Sequence, residues 1–181
     1  RRPVILAGNG TIRRRASRQL RRFVEQTGIG VISTFMAKGC VDMDHPACAY
    51  TIGLQGLDHP AVAIEASDLV ITLGYDMVEY HPHLWNAGSR HRIVHIDFVP
   101  AEIDENYRME VEVVGDLAHT LWMLNERVEA LGPERLAYDH SHTRRARARM
   151  SAELEAHAED ETEGCIRPQK ALWEARRAMG P

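Results

Sequence analysis

Five short apolar runs, each followed by a glycine or polar residues, constrain the fold of this chain more than any other feature. The runs are Val4–Ala7, Gly30–Thr34, Leu69–Leu73, Arg92–Ile96 and Val111–Val114. Each has the length of a strand, and several are apolar at consecutive positions, as in strands that are covered on both faces. We therefore expect these runs to form a parallel sheet.

Helical segments separate the predicted strands. They are expected over residues 12–28, from Pro60 to Ala66, and over residues 117–131, where leucine and valine recur at helical spacing. The stretch from Met36 to His59 reads as irregular. Strands that alternate with helices predict a doubly wound α/β domain over about residues 3–131. Its sheet should be Rossmann-like, as in flavin- and NAD-binding domains, and mostly parallel with five or six strands.

Beyond Pro133 the composition changes. Residues 134–160 are rich in arginine, alanine, glutamate and histidine, which predicts a solvated helix or a linker. A last helix should open near Ile166 and form a helical C-terminal tail. Its apolar face is made by Leu172, Ala175 and Met179. This face has no evident partner in the sequence, and the chain begins at Arg1 without an initiator methionine, so we expect a piece of a longer protein.

Composition excludes several classes of protein. The 181 residues carry a net charge of −4, which gives no general attraction to nucleic acid. No apolar run approaches the roughly 20 residues that a membrane span needs, and no signal peptide is evident. Cys40, Cys48 and Cys165 lack the spacing of a disulfide framework or a structural zinc site. The expected setting is therefore the reducing cytoplasm, with neither nucleic acid nor membrane as a partner.

Other motifs do not point to a chemistry. Six arginines make the first predicted helix basic, but no aromatic residues alternate with them, so we expect a solvated face or a contact with another domain. Two pairs of histidines, at positions 81 and 83 and at positions 140 and 142, lack carboxylates at metal-ligand spacing. Neither a nucleophile elbow nor a P-loop is present, so hydrolysis and phosphoryl transfer lack support.

Ligands of doubly wound folds bind outside the carboxyl ends of the strands. Those ends lead into loops 8–11, 34–39, 74–80 and 97–100. In the first loop, Gly8-Asn9-Gly10-Thr11 either offers N–H groups to an anion or forms a simple tight turn. Arg13 breaks the GxGxxG pattern, and no acidic residue closes the second strand to bind a ribose. A plain NAD-dependent dehydrogenase is therefore disfavoured.

Two carboxylates follow the third predicted strand in the sequence ITLGYDMVEY. Asp76 and Glu79 have the residue type of an acid–base pair. At a strand end, however, two carboxylates repel a phosphate-bearing ligand unless a cation lies between them. We expect this loop to be structural or to exclude ligands rather than to be catalytic.

At this point the sequence resembles a known family. The stretches PVILAGNGT, VISTFMAKG, ASDLVITLGYD, HRIVHIDFVPAEIDENY and EVVGD occur in the order found in the central domain of thiamine diphosphate-dependent enzymes, especially acetolactate synthases. The resemblance covers about residues 3–125. The tail IRPQKALWEARRAMGP looks like the lead-in to the third domain of these enzymes. The resemblance thus implies a central domain at 1–131, a helical linker at 132–165 and the truncated start of a C-terminal domain at 166–181.

The resemblance also implies an activity for the parent enzyme. Acetolactate synthases condense two pyruvates to 2-acetolactate with loss of carbon dioxide, using thiamine diphosphate and magnesium. The cofactor is bound by the N- and C-terminal domains, which are the expected partners together with further copies in a homo-oligomer. Gly115-Asp116 is followed by Leu117 and does not match the metal motif of the third domain. We therefore expect no catalytic residue in this chain and no activity from it alone.

Biosynthetic members of this family bind FAD on the central domain. Their flavin-facing positions correspond to Gly8, Asn9, Gly10, Thr34, Phe35, Met36, Gly53, Leu54, Gln55, Gly56, Gly74, Tyr75, Asp76 and Asp97. Asp76 stands where those members carry an arginine, and the loop resembles that of catabolic, flavin-independent acetolactate synthases, as does the pair Trp85-Asn86. An anion in place of a cation opposes a phosphate, so FAD is disfavoured.

Two alternatives remain open from the sequence. One is a flavin- or adenine-nucleotide-binding domain of a related decarboxylase, oxidase or biosynthetic synthase. The other is a stand-alone regulatory or assembly protein.

Overall fold

A computed structural model describes residues 1–53, 59–158 and 164–179. The chain divides into two compact units, Arg1–Arg147 and Ala148–Pro181. In the described ranges, no helix combines the length and the apolar character that crossing a membrane requires.

The first unit is built on a six-stranded sheet in the order β3-β2-β1-β4-β5-β6. The strands are β1 (Pro3–Ala7), β2 (Gly30–Ser33), β3 (Cys48–Thr51), β4 (Leu69–Leu73), β5 (Arg92–Asp97) and β6 (Val111–Val114). Every neighbouring pair is parallel. The predicted doubly wound α/β fold is confirmed, and all five predicted strands are present.

The described residues contain six α-helices. They are α1 (Asn9–Arg13), α2 (Ser17–Thr27), α3 (His59–Glu65), α4 (Leu117–Leu131), α5 (Ser141–Ala158) and α6 (Pro168–Met179). On one face of the sheet, α2 and α4 pack over Ile5 and Ala7. On the other face, α3 and the aromatic side chains that follow β4 pack over Val4 and Leu6. Alternate residues of β1 thus serve two cores, which is why the run is apolar at consecutive positions.

One predicted helix is in fact two. The expectation of a single helix over residues 12–28 is wrong, because α1 ends at Arg13 and α2 begins at Ser17. Arg15 lies between them in the left-handed region with φ of +53°. The Ala16 N–H donates to the Thr11 carbonyl (2.9 Å), the bond that closes a Schellman motif. Apolar spacing continues across this turn, so periodicity alone does not reveal it.

One strand lies in the stretch that the sequence describes as irregular. The four residues of β3 pair with β2, with Val31 opposite Cys48 and Ser33 opposite Thr51. The pairing is uneven, and Tyr50 within the strand has φ of +67°. So short and irregular a strand depends on the neighbouring strand more than on its own pattern, which is why the sequence does not predict it.

The first turns of α5 belong to the first unit. His142, Thr143 and Ala146 are buried there. The Arg147 guanidinium donates to the Met43 and Cys48 carbonyls, each at 2.8 Å. The packing of this unit therefore extends beyond residue 131, the proposed end of the central domain. How the domains of the whole protein divide stays a prediction.

The second unit contains the predicted last helix. It is confirmed as α6. Leu172 and Met179 on its predicted apolar face are 72% and 76% exposed.

Candidate functional site at the carboxyl edge of the sheet

A cleft of about 490 Å³ opens at the carboxyl ends of β1, β4 and β5. The strand order changes direction between β1 and β4, and such a switch point is where doubly wound folds bind ligands. Loops that follow all three strands line the cleft. Their charged side chains are Arg13, Arg14, Asp76, Asp97 and Glu102. The fold therefore gathers both signs of charge around one opening.

Two loops cross beside the cleft where three glycines meet. A β-carbon on Gly8 would lie 2.4 Å from the Gly74 carbonyl oxygen, and one on Gly10 would lie 2.7 Å from the Gly74 α-carbon. Gly74 has φ of +57°, and a β-carbon there would lie 2.5 Å from the Thr11 nitrogen. Close approach of two backbones thus explains glycine at these positions.

The N–H groups of the turn 8–11 have partners inside the chain. Three of them donate to carbonyls: Gly8 to Leu73 (2.9 Å), Gly10 to Gly74 (2.8 Å) and Thr11 to Gly8 (3.0 Å). The fourth, the Asn9 N–H, lies near the Glu79 carboxylate and lowers its pKa. Of the two interpretations left open by the sequence, these contacts favour the tight turn, because three of the four N–H groups that an anion would need already donate to carbonyls.

Residues 75–80, called the strap below, run from the end of β4 past the end of β1 to the end of β2. At the far end, the Glu79 carboxylate accepts a hydrogen bond from the Thr34 hydroxyl. The Tyr75 hydroxyl donates to the Tyr80 carbonyl and closes the strap into a loop. Burial raises the pKa of the Glu79 carboxyl, while the bond from Thr34 opposes this rise.

Aromatic side chains of the strap are buried under the cleft. Tyr75 and Tyr80 belong to the same core as Trp85 and Tyr107. The Trp85 indole N–H donates to the Tyr75 hydroxyl (3.1 Å), and the rings of Tyr75 and Tyr107 lie 5.5 Å apart. Burial raises the pKa of Tyr75 far above its ordinary value. Tyr75 is therefore a neutral packing residue rather than an acid that works at neutral pH.

A buried polar network lies behind the cleft. The Tyr107 hydroxyl lies 2.6 Å from the Thr72 hydroxyl and 2.8 Å from His95 Nδ1. His95 Nε2 lies 3.4 Å from the Val99 carbonyl. An Nε2–H that donates to Val99 leaves Nδ1 as the acceptor of the Tyr107 O–H, so this tautomer of His95 satisfies the whole network. These contacts fasten the loop after β5 to the sheet.

One wall of the cleft combines a cation, a ring and a carboxylate. The Arg14 guanidinium lies over the Phe98 ring, 3.4 Å from its centroid. Asp97, only 4% exposed, accepts a hydrogen bond from the Phe98 N–H (2.6 Å). Burial raises the pKa of Asp97, while this bond and the neighbouring charges lower it. The wall can therefore stack on a flat ligand and accept hydrogen bonds from hydroxyl groups.

The pair Trp85-Asn86 has a structural role. The Asn86 amide donates to the Asn106 carbonyl (2.6 Å) and accepts from the His91 N–H (3.0 Å). The Asn106 side chain in turn accepts from the Gly88 N–H (3.0 Å). Two asparagines thus join the segments that follow β4 and β5.

The predicted nucleotide-edge residues separate into groups. The cleft brings together Asn9, Gly10, Gly74, Tyr75, Asp76 and Asp97. Gly8 lies in the glycine crossing, whereas the described residues Thr34, Phe35, Met36 and Gly53 lie outside the cleft lining. Gln55 and Gly56, with Leu54, lie outside the described residues.

Four cleft residues have roles that the motifs did not indicate. They are Arg14, His95, Phe98 and Tyr107. In the sequence, Arg14 is one of six arginines in a basic helix. His95 and Tyr107 belong to a stretch that resembles the family, but nothing there indicates their roles. No local signal pairs them, because each partner comes from a different segment.

The described residues include no group of three histidines, cysteines or acids that could hold a metal ion. Asp116, in the Gly-Asp pair that recurs in the family, accepts a hydrogen bond from the His119 N–H (2.7 Å) and caps α4. His81 and His83 place their Nδ1 atoms 2.8 Å apart on the surface.

Comparison with known proteins gives the family. A model described as "Thiamine pyrophosphate enzyme, central domain" matches residues 1–124. A probable acetolactate synthase large subunit of Methanocaldococcus jannaschii is 36% identical over 66% of this chain and 20% of its own length. An acetolactate synthase of Bacillus subtilis is 31% identical over 66% of this chain and 21% of its length. A protein of Raoultella terrigena named "Acetolactate synthase, catabolic" is 34% identical over 70% of this chain and 23% of its own length.

The chain spans about a fifth of the length of these relatives, 20 to 23%. The matched residues contain the whole six-stranded sheet and the cleft at its carboxyl edge. The resemblance predicted from the sequence is therefore confirmed, and this chain belongs to the family of thiamine pyrophosphate enzyme central domains.

Proposed function

We propose that this chain is the central domain of an acetolactate synthase of the catabolic, flavin-independent type. Relatives that carry the name acetolactate synthase support the activity. The observation that carries the flavin-independent assignment is the strap, since the Glu79 carboxylate interacts with the Thr34 hydroxyl and the Asn9 N–H. A carboxylate in that position opposes a diphosphate.

The whole enzyme would join two pyruvates with loss of carbon dioxide and release 2-acetolactate. Thiamine diphosphate supplies the carbanion chemistry of such a reaction. We assign its binding, with magnesium, to flanking N- and C-terminal domains, as the family resemblance implies. The central domain at 1–131 would be a scaffold, joined by a linker at 132–165 to a third domain that starts at 166–181. A cytoplasmic homo-oligomer completes the proposal.

The test uses the whole enzyme to which this chain belongs. Purified enzyme supplied with pyruvate, thiamine diphosphate and magnesium should form acetolactate and release carbon dioxide in equal amounts. It should also be colourless and contain no FAD after denaturation. Absence of acetolactate contradicts the activity, whereas a stoichiometric flavin contradicts only the flavin-independent assignment.

The cleft favours a second candidate, an adenine-nucleotide-binding central domain. Arg14 on Phe98 offers a stacking surface, and Asp97 can accept hydrogen bonds from ribose hydroxyls. Titration of the enzyme with ADP and with FAD separates the candidates. Micromolar binding of ADP or FAD that is lost in Asp97→Asn would support the adenine-nucleotide-binding domain. No binding of either ligand at millimolar concentration would support the flavin-independent domain.

A further inference from the structure

The strap reaches across the position where the first βα turn of a doubly wound fold holds the phosphates of a bound dinucleotide. It leaves β4 at Gly74 and ends on β2, two strands away in the sheet. The strap also passes the turn that follows β1, where the Glu79 carboxylate lies near the Asn9 N–H. The strap thus lies over the ends of two strands that do not belong to its own loop.

Three sets of hydrogen bonds hold the strap in this conformation. Tyr75 and Tyr80, both buried, are joined by the bond from hydroxyl to carbonyl. Between them, the Asp76 carboxylate accepts from the Val78 N–H (2.9 Å), and the Asp76 carbonyl accepts from the Glu79 N–H (3.1 Å). The third set is the tie from Glu79 to Thr34. The first two sets of hydrogen bonds fix the conformation of the strap itself. The bond between Glu79 and Thr34 therefore decides whether the strap contacts the end of β2.

The charge and burial of Glu79 determine which ligands its contact with Thr34 excludes. One Glu79 oxygen accepts from Thr34, and the other is buried without a hydrogen-bond partner. Asp76 adds a second negative charge on the strap. An incoming phosphate would have to displace a carboxylate from the same donors and approach another at close range. A neutral or cationic group would meet no such opposition.

We propose that Glu79 is a specificity-determining residue that fastens the strap over the ends of β1 and β2 and thereby closes this part of the carboxyl edge to phosphate-bearing ligands. This inference deepens the proposed function, because it rests on the flavin-independent assignment and names the residue that produces it. The cleft on the β4 and β5 side, lined by Asp97 and Phe98, stays outside the closed region.

The experiment measures the strap and its effect separately in the full 181-residue chain. Glu79→Ala removes the tie, and Glu79→Gln keeps an acceptor oxygen for Thr34. Val78→Ala is the matched control, since Val78 is the adjacent residue and is 88% exposed. Amide hydrogen exchange reports opening of residues 75–80, and calorimetric titration with inorganic pyrophosphate reports access to the edge.

In Glu79→Ala we expect the strap amides to exchange at least about tenfold faster, which corresponds to the loss of a hydrogen bond to a charged group. Pyrophosphate should bind this variant at least about tenfold more tightly than the wild type. Glu79→Gln and Val78→Ala should stay within about twofold of the wild type in exchange. Thr34→Val removes the donor without changing the shape of the side chain and should also speed exchange of the strap.

If Glu79→Ala and Thr34→Val both exchange at the wild-type rate, Glu79 does not fasten the strap. If Glu79→Ala binds pyrophosphate no more tightly than the wild type, the strap does not exclude phosphate-bearing ligands. If Glu79→Ala does not fold, Thr34→Val takes its place in both measurements. Neither outcome depends on acetolactate formation. An enzyme that makes no acetolactate but shows the expected strap behaviour contradicts only the proposed activity, and the reverse result contradicts only the role of Glu79.

Discussion

At the scale of single residues, Tyr107 holds the polar network behind the cleft because its hydroxyl lies between two other side chains. Replacement by phenylalanine keeps the ring but leaves Thr72 and His95 Nδ1 buried without this partner. We expect Tyr107→Phe to lower the free energy of unfolding by about 1–3 kcal/mol. Urea denaturation measures the loss, with Tyr138→Phe, at a half-buried site, as the control. Equal losses in both variants would contradict the network.

The Glu79 carboxyl should make the stability of the folded chain depend on pH. Burial raises its pKa above the ordinary value of 4.5, so the folded chain binds this proton more tightly than the unfolded chain. Its contribution to stability is complete below pH 4.5 and is lost as the pH rises through the raised pKa. Glu79→Gln removes this loss, so the stability of the variant relative to wild type should increase as the pH rises above 4.5 and through the raised pKa.

Urea midpoints measured across that range test the effect of Glu79. The exposed Glu25, changed to glutamine, is the control for the loss of one carboxylate. A constant difference between Glu79→Gln and wild type would show that the carboxyl does not titrate differently on folding.

At the scale of elements, the crossing of the loops after β1 and β4 depends on Gly74. Gly39 also has positive φ, +88°, but a β-carbon there meets nothing within 4 Å. We expect Gly39→Ala to cost about 1–2 kcal/mol, the cost of left-handed backbone alone. Gly74→Ala should cost about 1–3 kcal/mol more, because its methyl group must displace backbone. Chemical denaturation compares the two, and equal costs would argue against the close approach.

The start of α5 depends on Arg147, which joins this helix to the loop before β3. Its guanidinium donates to three carbonyls, those of Met43, Asp44 and Cys48. We expect Arg147→Met to lower the free energy of unfolding by about 1–3 kcal/mol. The exposed Arg145, changed to methionine, should stay within about 0.5 kcal/mol of wild type. A similar loss at both positions would assign the effect to the charge of the helix instead.

At the scale of the whole molecule, the role proposed for this chain is that of a scaffold, with the catalytic centre in other domains of the enzyme. We expect the purified 181-residue chain to form no acetolactate from pyruvate, even with thiamine diphosphate and magnesium. The whole enzyme in the same assay is the positive control. Turnover by the chain alone, above that of the cofactor in buffer, would contradict the assignment of catalysis to other domains.

Prediction from sequence succeeds where a segment decides its own structure. The strands β1 and β4 are apolar at nearly every position, and α4 repeats its apolar residues at helical spacing, so each carries its signal locally. It fails for β3 and for the turn between α1 and α2. There the deciding interactions are a neighbouring strand and a left-handed residue, Arg15, which helical spacing does not reveal.

The site divides in the same way. Strand ends are visible in the sequence, so the cleft residues Gly10, Gly74 and Asp97 could be predicted to lie along one edge. The stacking of Arg14 on Phe98 could not, because it joins segments that meet only when β1 and β5 lie in one sheet.

By itself, the sequence determined the doubly wound fold and the family, because apolar periodicity and the order of motifs can be read along the chain without any knowledge of tertiary contacts. Only the tertiary structure decided the role of ITLGYDMVEY. Burial makes Tyr75 and Tyr80 packing residues, and the carboxylate of Glu79 meets Thr34 two strands away. Such a contact exists only after β4, β1 and β2 have assembled side by side, and the same contact turns an acidic loop into a strap.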